Sequence, residues 1–126
     1  MPAFNGNGFL THSIGLGDTA TLFSASDSLT APVNSIVVCI LQSGPTVRGV
    51  RQFQMSFASA PTAVVEIFGS NNAPTAAGPD PGGQLLYTST NTQNDYYTDG
   101  AAFAFYWAKL VSQSAGGGLA VTMHQV

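Results

Sequence analysis

The chain has 126 residues, three Lys+Arg against six Asp+Glu, and a formal net charge of −3 at pH 7; only 7% of it is charged, where an ordinary domain carries roughly 25%. Apolar residues make up 44%, which excludes the disordered class and suffices for one domain whose core needs neither disulfide nor metal. Three cations cannot neutralise a phosphate track, which excludes nucleic acid as a partner, and no apolar run approaches the roughly 18 residues of a membrane span.

Residues 1–18 read as an N-terminal arm. Asn5-Gly6-Asn7-Gly8 and Gly15-Leu16-Gly17-Asp18 are turn-rich, and a terminal segment of this kind orders only where something ties it down. Its apolar residues Phe4, Phe9, Leu10 and Ile14 are therefore expected to dock, on the domain itself or on a neighbour. The first six residues lack the basic and apolar regions of a secretory signal. Residues 19–126 are expected to form a single β-domain.

Within that domain the pattern is β throughout. Residues 19–24 alternate, with Ala20, Leu22 and Ser24 opposite Thr21 and Phe23. Residues 35–41 are a continuous apolar run, the signature of a central strand buried on both faces. Phe53, Met55 and Phe57 share a face, as do Ala63, Val65 and Ile67. A Pro/Gly loop over 71–83 leads to a short strand at 85–88, and 94–100 reads as turn-rich around Tyr96-Tyr97. The spacing places Phe103, Phe105, Trp107 and Val111 in one phase of the longest strand, which puts Trp107 in the core and turns Tyr106 outward. A glycine turn at 115–118 returns the chain through Leu119, Val121 and Met123. Seven to eight short strands without a helical period predict an all-β fold: an antiparallel β-sandwich, jelly-roll or immunoglobulin-like, with an extended N-terminal arm.

Little in the sequence announces catalysis. Asp95 and Asp99 lack the ligand spacing of a calcium loop and read as turn-forming residues. Cys39 lies inside the apolar run and reads as an inert buried thiol, and His12 and His124 lack a third metal ligand. Catalytic, cofactor-binding and metal residues are accordingly expected to be absent. A small hydrolase or lyase on a jelly roll is the least favoured class. Exposed tyrosines would suit a sugar platform, and Tyr87, Tyr96 and Tyr106 are its candidate members.

With 12 Ser, 12 Thr, 7 Asn and 7 Gln, the chain covers itself with neutral polar groups. Such a surface repels neighbours weakly and suits a subunit packed in an assembly.

The segments Ala63-Val64-Val65-Glu66-Ile67-Phe68-Gly69-Ser70-Asn71, Tyr97-Thr98-Asp99-Gly100, Tyr106-Trp107-Ala108-Lys109-Leu110-Val111-Ser112 and Gly116-Gly117-Gly118-Leu119-Ala120-Val121-Thr122 carry a resemblance. Over about residues 63–125 the chain resembles the β-sandwich modules of tailed-bacteriophage structural proteins, most of all capsid decoration (cement) proteins. The 71–83 loop is longer than the turn of that pattern. The resemblance implies a non-enzymatic subunit, made in the host cytoplasm and bound to the capsid surface of a virion. Its partners would be itself, as a homo-oligomer with a trimer among its candidate states, and a major capsid protein. The alternative is a receptor- or carbohydrate-binding module of a phage tail or fibre.

Overall fold

The computed structural model describes residues 11–15, 17–26, 29–40, 50–59, 63–72, 83–90, 94–100, 103–113 and 117–125. Ten strands lie among them: β1 (Thr11–Ile14), β2 (Thr19–Phe23), β3 (Val33–Asn34), β4 (Val37–Ile40), β5 (Arg51–Ser59), β6 (Ala63–Ser70), β7 (Gln84–Ser89), β8 (Asn94–Asp99), β9 (Phe105–Gln113) and β10 (Gly117–Gln125). The fold is an all-β sandwich. One sheet runs β1-β4-β9-β6-β7 with the short β3 also on β9, and the other runs β2-β10-β5-β8.

The order follows from a simple path. β2 pairs with β10, β4 with β9, β5 with β8 and β6 with β7, all antiparallel. These nested pairs make one long double-stranded ribbon whose tip is the β6–β7 pair. Rolling the ribbon brings β10 against β5 and β9 against β6, also antiparallel. This is the jelly-roll path and not the immunoglobulin one.

Strict alternation builds the core. β6 alternates between buried and half-buried along its whole length. Its Val65 and Ile67 meet Phe53 and Met55 of β5 and Val121 and Met123 of β10 in one apolar cluster. Each such side chain contributes about 1.5–3 kcal/mol on burial. In β2 both Leu22 and Phe23 are buried. The β2–β10 register shifts between Val121 and Thr122, and this irregularity turns both neighbours inward where alternation places them on opposite faces.

The phase of β9 is the reverse of the expected one. Tyr106, Ala108 and Leu110 face the sandwich interior. Trp107 lies on the other side of its sheet, in a second cluster with Val37, Phe68 and Phe105, and its ring stacks on Phe68 at 5.7 Å between centroids. Trp107 is still only 1% exposed. Val37 and Trp107 are buried on the outer side of this sheet as well, so an aromatic stripe alone does not mark the inner face. Gly83 lies so close to Trp107 that a β-carbon there would collide with the indole ring.

Two boundaries differ from the expected ones. Part of the 1–18 arm belongs to the domain: Thr11–Ile14 pair in parallel with β4 as the outermost strand of the larger sheet. Gly17 N–H donates to the Gln125 carbonyl at 2.7 Å and Gln125 N–H to the Asp18 carbonyl at 2.9 Å, which ties the following turn to β10. The segment 94–99 is a strand and not a turn.

Candidate functional site

Three tyrosines and two aspartates gather at the β8 side of the interior. Alternation turns Asp95, Tyr97 and Asp99 of β8 inward, and β7 supplies Tyr87 and Ser89. The hydroxyls of Tyr87 and Ser89 both donate to Asp95 Oδ2 at 2.6 Å, and the Tyr96 amide donates to Asp95 Oδ1 at 2.9 Å. Burial opposes the Asp95 charge, but these donors outweigh it and hold the carboxyl below its usual range. Tyr97 donates to Asp99 Oδ1 at 3.1 Å and Tyr106 to Asp99 Oδ2. The Tyr106 oxygen in turn accepts from the Phe103 amide at 3.0 Å. Tyr87 and Tyr97 stack at 4.9 Å.

These contacts shift the phenols upward. The bond to Asp95 raises Tyr87, with burial and the Asp95 charge adding to it. Burial, with the Asp99 charge and bond, pushes Tyr97 up to about 12. Tyr106 rises further, through burial and its bond to Asp99. Arg51 is fully buried beside this group, with its guanidinium 5.6 Å from the centre of the Tyr106 ring. Its neighbour in register, Gln125, is equally buried, and its side-chain amide makes no hydrogen bond among the described residues. Asp95 and Asp99 are thus not turn formers: they anchor hydroxyls and close one end of the core. Their oxygens accept from donors of the chain itself.

The Tyr87, Tyr96 and Tyr106 platform is not assembled. Tyr106 is buried and Tyr87 is half-buried against Tyr97. Tyr96 alone of the three stands out, 65% exposed. Of the arm residues, Phe4, Phe9 and Leu10 lie outside the described residues. Ile14 falls on β1, with its side chain outside them too, as does that of His12. Cys39 is half-buried on β4, opposite Ser13 and Phe105. Among the described residues no three His, Cys, Asp or Glu stand close enough to hold a metal, and no helix is long and apolar enough to cross a membrane.

What the sequence reading missed is the outward face of the smaller sheet. Register places Thr19, His124, Gln52 and Thr98 in one row, and Thr21, Thr122, Gln54 and Tyr96 in the next. A groove of about 280 Å³ runs over β10, β5 and β8 here. Thr19 Oγ1 and His124 Nδ1 lie 2.8 Å apart at one end, and Gln54 Nε2 donates to the Tyr96 hydroxyl at 3.4 Å at the other. Among the described residues no Asp, Glu, Lys or Arg lines the groove. The signal was present in the alternation of β5, whose polar phase is Gln52, Gln54 and Ser56.

Comparison with known proteins finds no matching protein-family model and no matching relative among curated proteins.

Proposed function

We propose that the chain is a non-enzymatic structural subunit of a virion, a capsid decoration protein that associates with itself and with a capsid lattice. The observation that carries this reading is the edge of the larger sheet at β7. Among the described residues no strand pairs with its outer side. Its sequence, Gln84–Ser89, holds no charge, and Leu85 is 47% exposed there. Leu85 stands opposite Phe68 in register, so the apolar cluster around Trp107 reaches the sheet edge. Edges of proteins that stay apart are blunted with charge, proline or a cover, and an open apolar edge marks a joint. The jelly roll recurs in viral capsid and lectin domains, which agrees with the reading by analogy alone.

Native mass measurement and co-sedimentation with capsids test it. The unaltered chain is expected to self-associate and to pellet with particles, and Leu85→Lys to weaken both while melting at the same temperature. A chain that is monomeric at all concentrations and never pellets overturns the reading.

The outward face of the smaller sheet, without Asp, Glu, Lys or Arg among the described residues of its groove, favours a second reading, a receptor- or carbohydrate-binding module of a phage tail or fibre.

A further inference from the structure

We propose that the groove between Tyr96 and His124 binds a neutral saccharide. The inference gives the carbohydrate-binding reading its site and ligand class, and it stands apart from the assembly reading, which rests on β7.

The lining selects the ligand by what it offers. Gln52 and Gln54 present amides, Thr98 and Thr122 hydroxyls, and His124 an imidazole. Each amide both donates and accepts, as does each hydroxyl. A charged ligand would lose hydration here without meeting an opposite charge, and an apolar one would strip water from the amides without replacing its hydrogen bonds. A sugar matches both demands with its hydroxyls. It also has an apolar C–H face, and Tyr96 supplies the exposed ring on which that face can lie.

Position and size agree. Thr98, Gln52 and His124 stand side by side on β8, β5 and β10, with Tyr96, Gln54 and Thr122 in the row beside them. At ordinary strand spacing three strands span about 10 Å and two rows about 7 Å, the footprint of one or two pyranose rings. The groove is also supported before a ligand arrives. The Gln54 amide reaches the Tyr96 hydroxyl at 3.4 Å and Thr19 meets the His124 ring at 2.8 Å, which lowers part of the ordering cost of binding.

The test is an NMR titration of the full chain with maltose, cellobiose and diacetylchitobiose, with sialyllactose and a sulfated disaccharide as charged controls. Native mass is read on the same samples. At least one neutral sugar is expected to give saturable shifts at Gln52, Gln54, Tyr96, Thr98, Thr122 and His124, with Kd on the order of 1 mM. Tyr96→Ala should weaken binding about tenfold at an unchanged melting temperature, and Tyr96→Phe, which keeps the ring, should stay within about threefold. The proposal is overturned if no neutral sugar saturates, if only the charged sugars bind, if the shifts map to another face, or if Tyr96→Ala binds as the parent does. Shifts at these residues that grow with protein concentration and no sugar would assign the face to a second copy, and also overturn it. Saccharide binding by a chain that stays monomeric and never pellets with capsids would leave this proposal standing and remove the assembly reading alone.

Discussion

The hydroxyl of Tyr106 donates to Asp99 Oδ2 across the interior, and so joins β9 of one sheet to β8 of the other. A bond to a carboxylate in a buried setting contributes about 1.5–3 kcal/mol. Tyr106→Phe should therefore lower the unfolding free energy by about that amount, measured by urea denaturation. Asp99→Asn should cost a similar amount, and the double variant less than the sum. Losses under about 0.5 kcal/mol for Tyr106→Phe would show that the bond adds nothing.

The same phenols set an alkaline limit. Tyr97 holds its proton up to about 12 in the folded chain, against an ordinary 10.0. Its contribution to stability is complete below 10 and is lost as pH rises from there through the folded value. Unfolding midpoints should be level through neutral pH and fall above 10, and absorbance titration should show phenols that ionise only as the fold is lost. Asp95 acts oppositely. Its lowered carboxyl stabilises the fold above the usual 3.8, and that contribution disappears as pH falls below it.

Trp107 is core in burial though not in phase. Trp107→Ala should cost about 3–5 kcal/mol, since it empties the space between Phe68 and Val37. It is the chain's single tryptophan, so its emission reports the second cluster alone. Phe68→Ala should shift that emission to longer wavelength. An unchanged spectrum would refute the stack.

At Gly69 a β-carbon would lie 2.6 Å from the Phe103 ring and 3.0 Å from Leu86. Gly69→Ala should destabilise the chain by about 1–3 kcal/mol, as overpacking does. Adding Phe103→Leu should recover part of that loss. Thermal melts of the two variants would decide it.

Two deletions separate the roles of the N-terminal residues. Removing residues 2–10 leaves the β1–β4 pairing in place, so any change in melting temperature it brings measures what Phe4, Phe9 and Leu10 contribute to the domain. Removing residues 2–17 uncovers the edge of β4 and breaks the Gly17–Gln125 hydrogen bond, at a cost of about 1–3 kcal/mol. Cys39, opposite Ser13 of β1, should then react faster with a thiol reagent. If only the second deletion also abolishes particle binding, that loss follows from stability and not from a tether.

Alternation made β5, β6 and β10 legible, because each has one apolar and one polar phase. It failed on β9, where aromatic Phe105 and Trp107 outshine the smaller Ala108 that actually faces the interior. It failed on β8 because Asp95, Tyr97 and Asp99 are turned inward by hydroxyl–carboxylate pairing, which no hydrophobic pattern records. Arg51 and Gln125 could have been found, since they share the phases of Phe53 and Met123. The polar phase of β5 marked one strand of the groove, but not the groove itself. Its rows join Thr19, His124, Gln52 and Thr98 from four strands, and only the register brings them together.

The nested ribbon also dictates when this chain can fold. Thr19 and His124 are 105 positions apart yet bonded side by side, and β10 is the interior strand that separates β2 from β5. During synthesis β2, β5 and β8 emerge with no strand between the first two. The smaller sheet, with its Tyr96–His124 groove, therefore closes only after residue 125 has left the ribosome. Until then β2 and β5 each carry an open edge, and late closure of distant pairs is slow and exposed to aggregation.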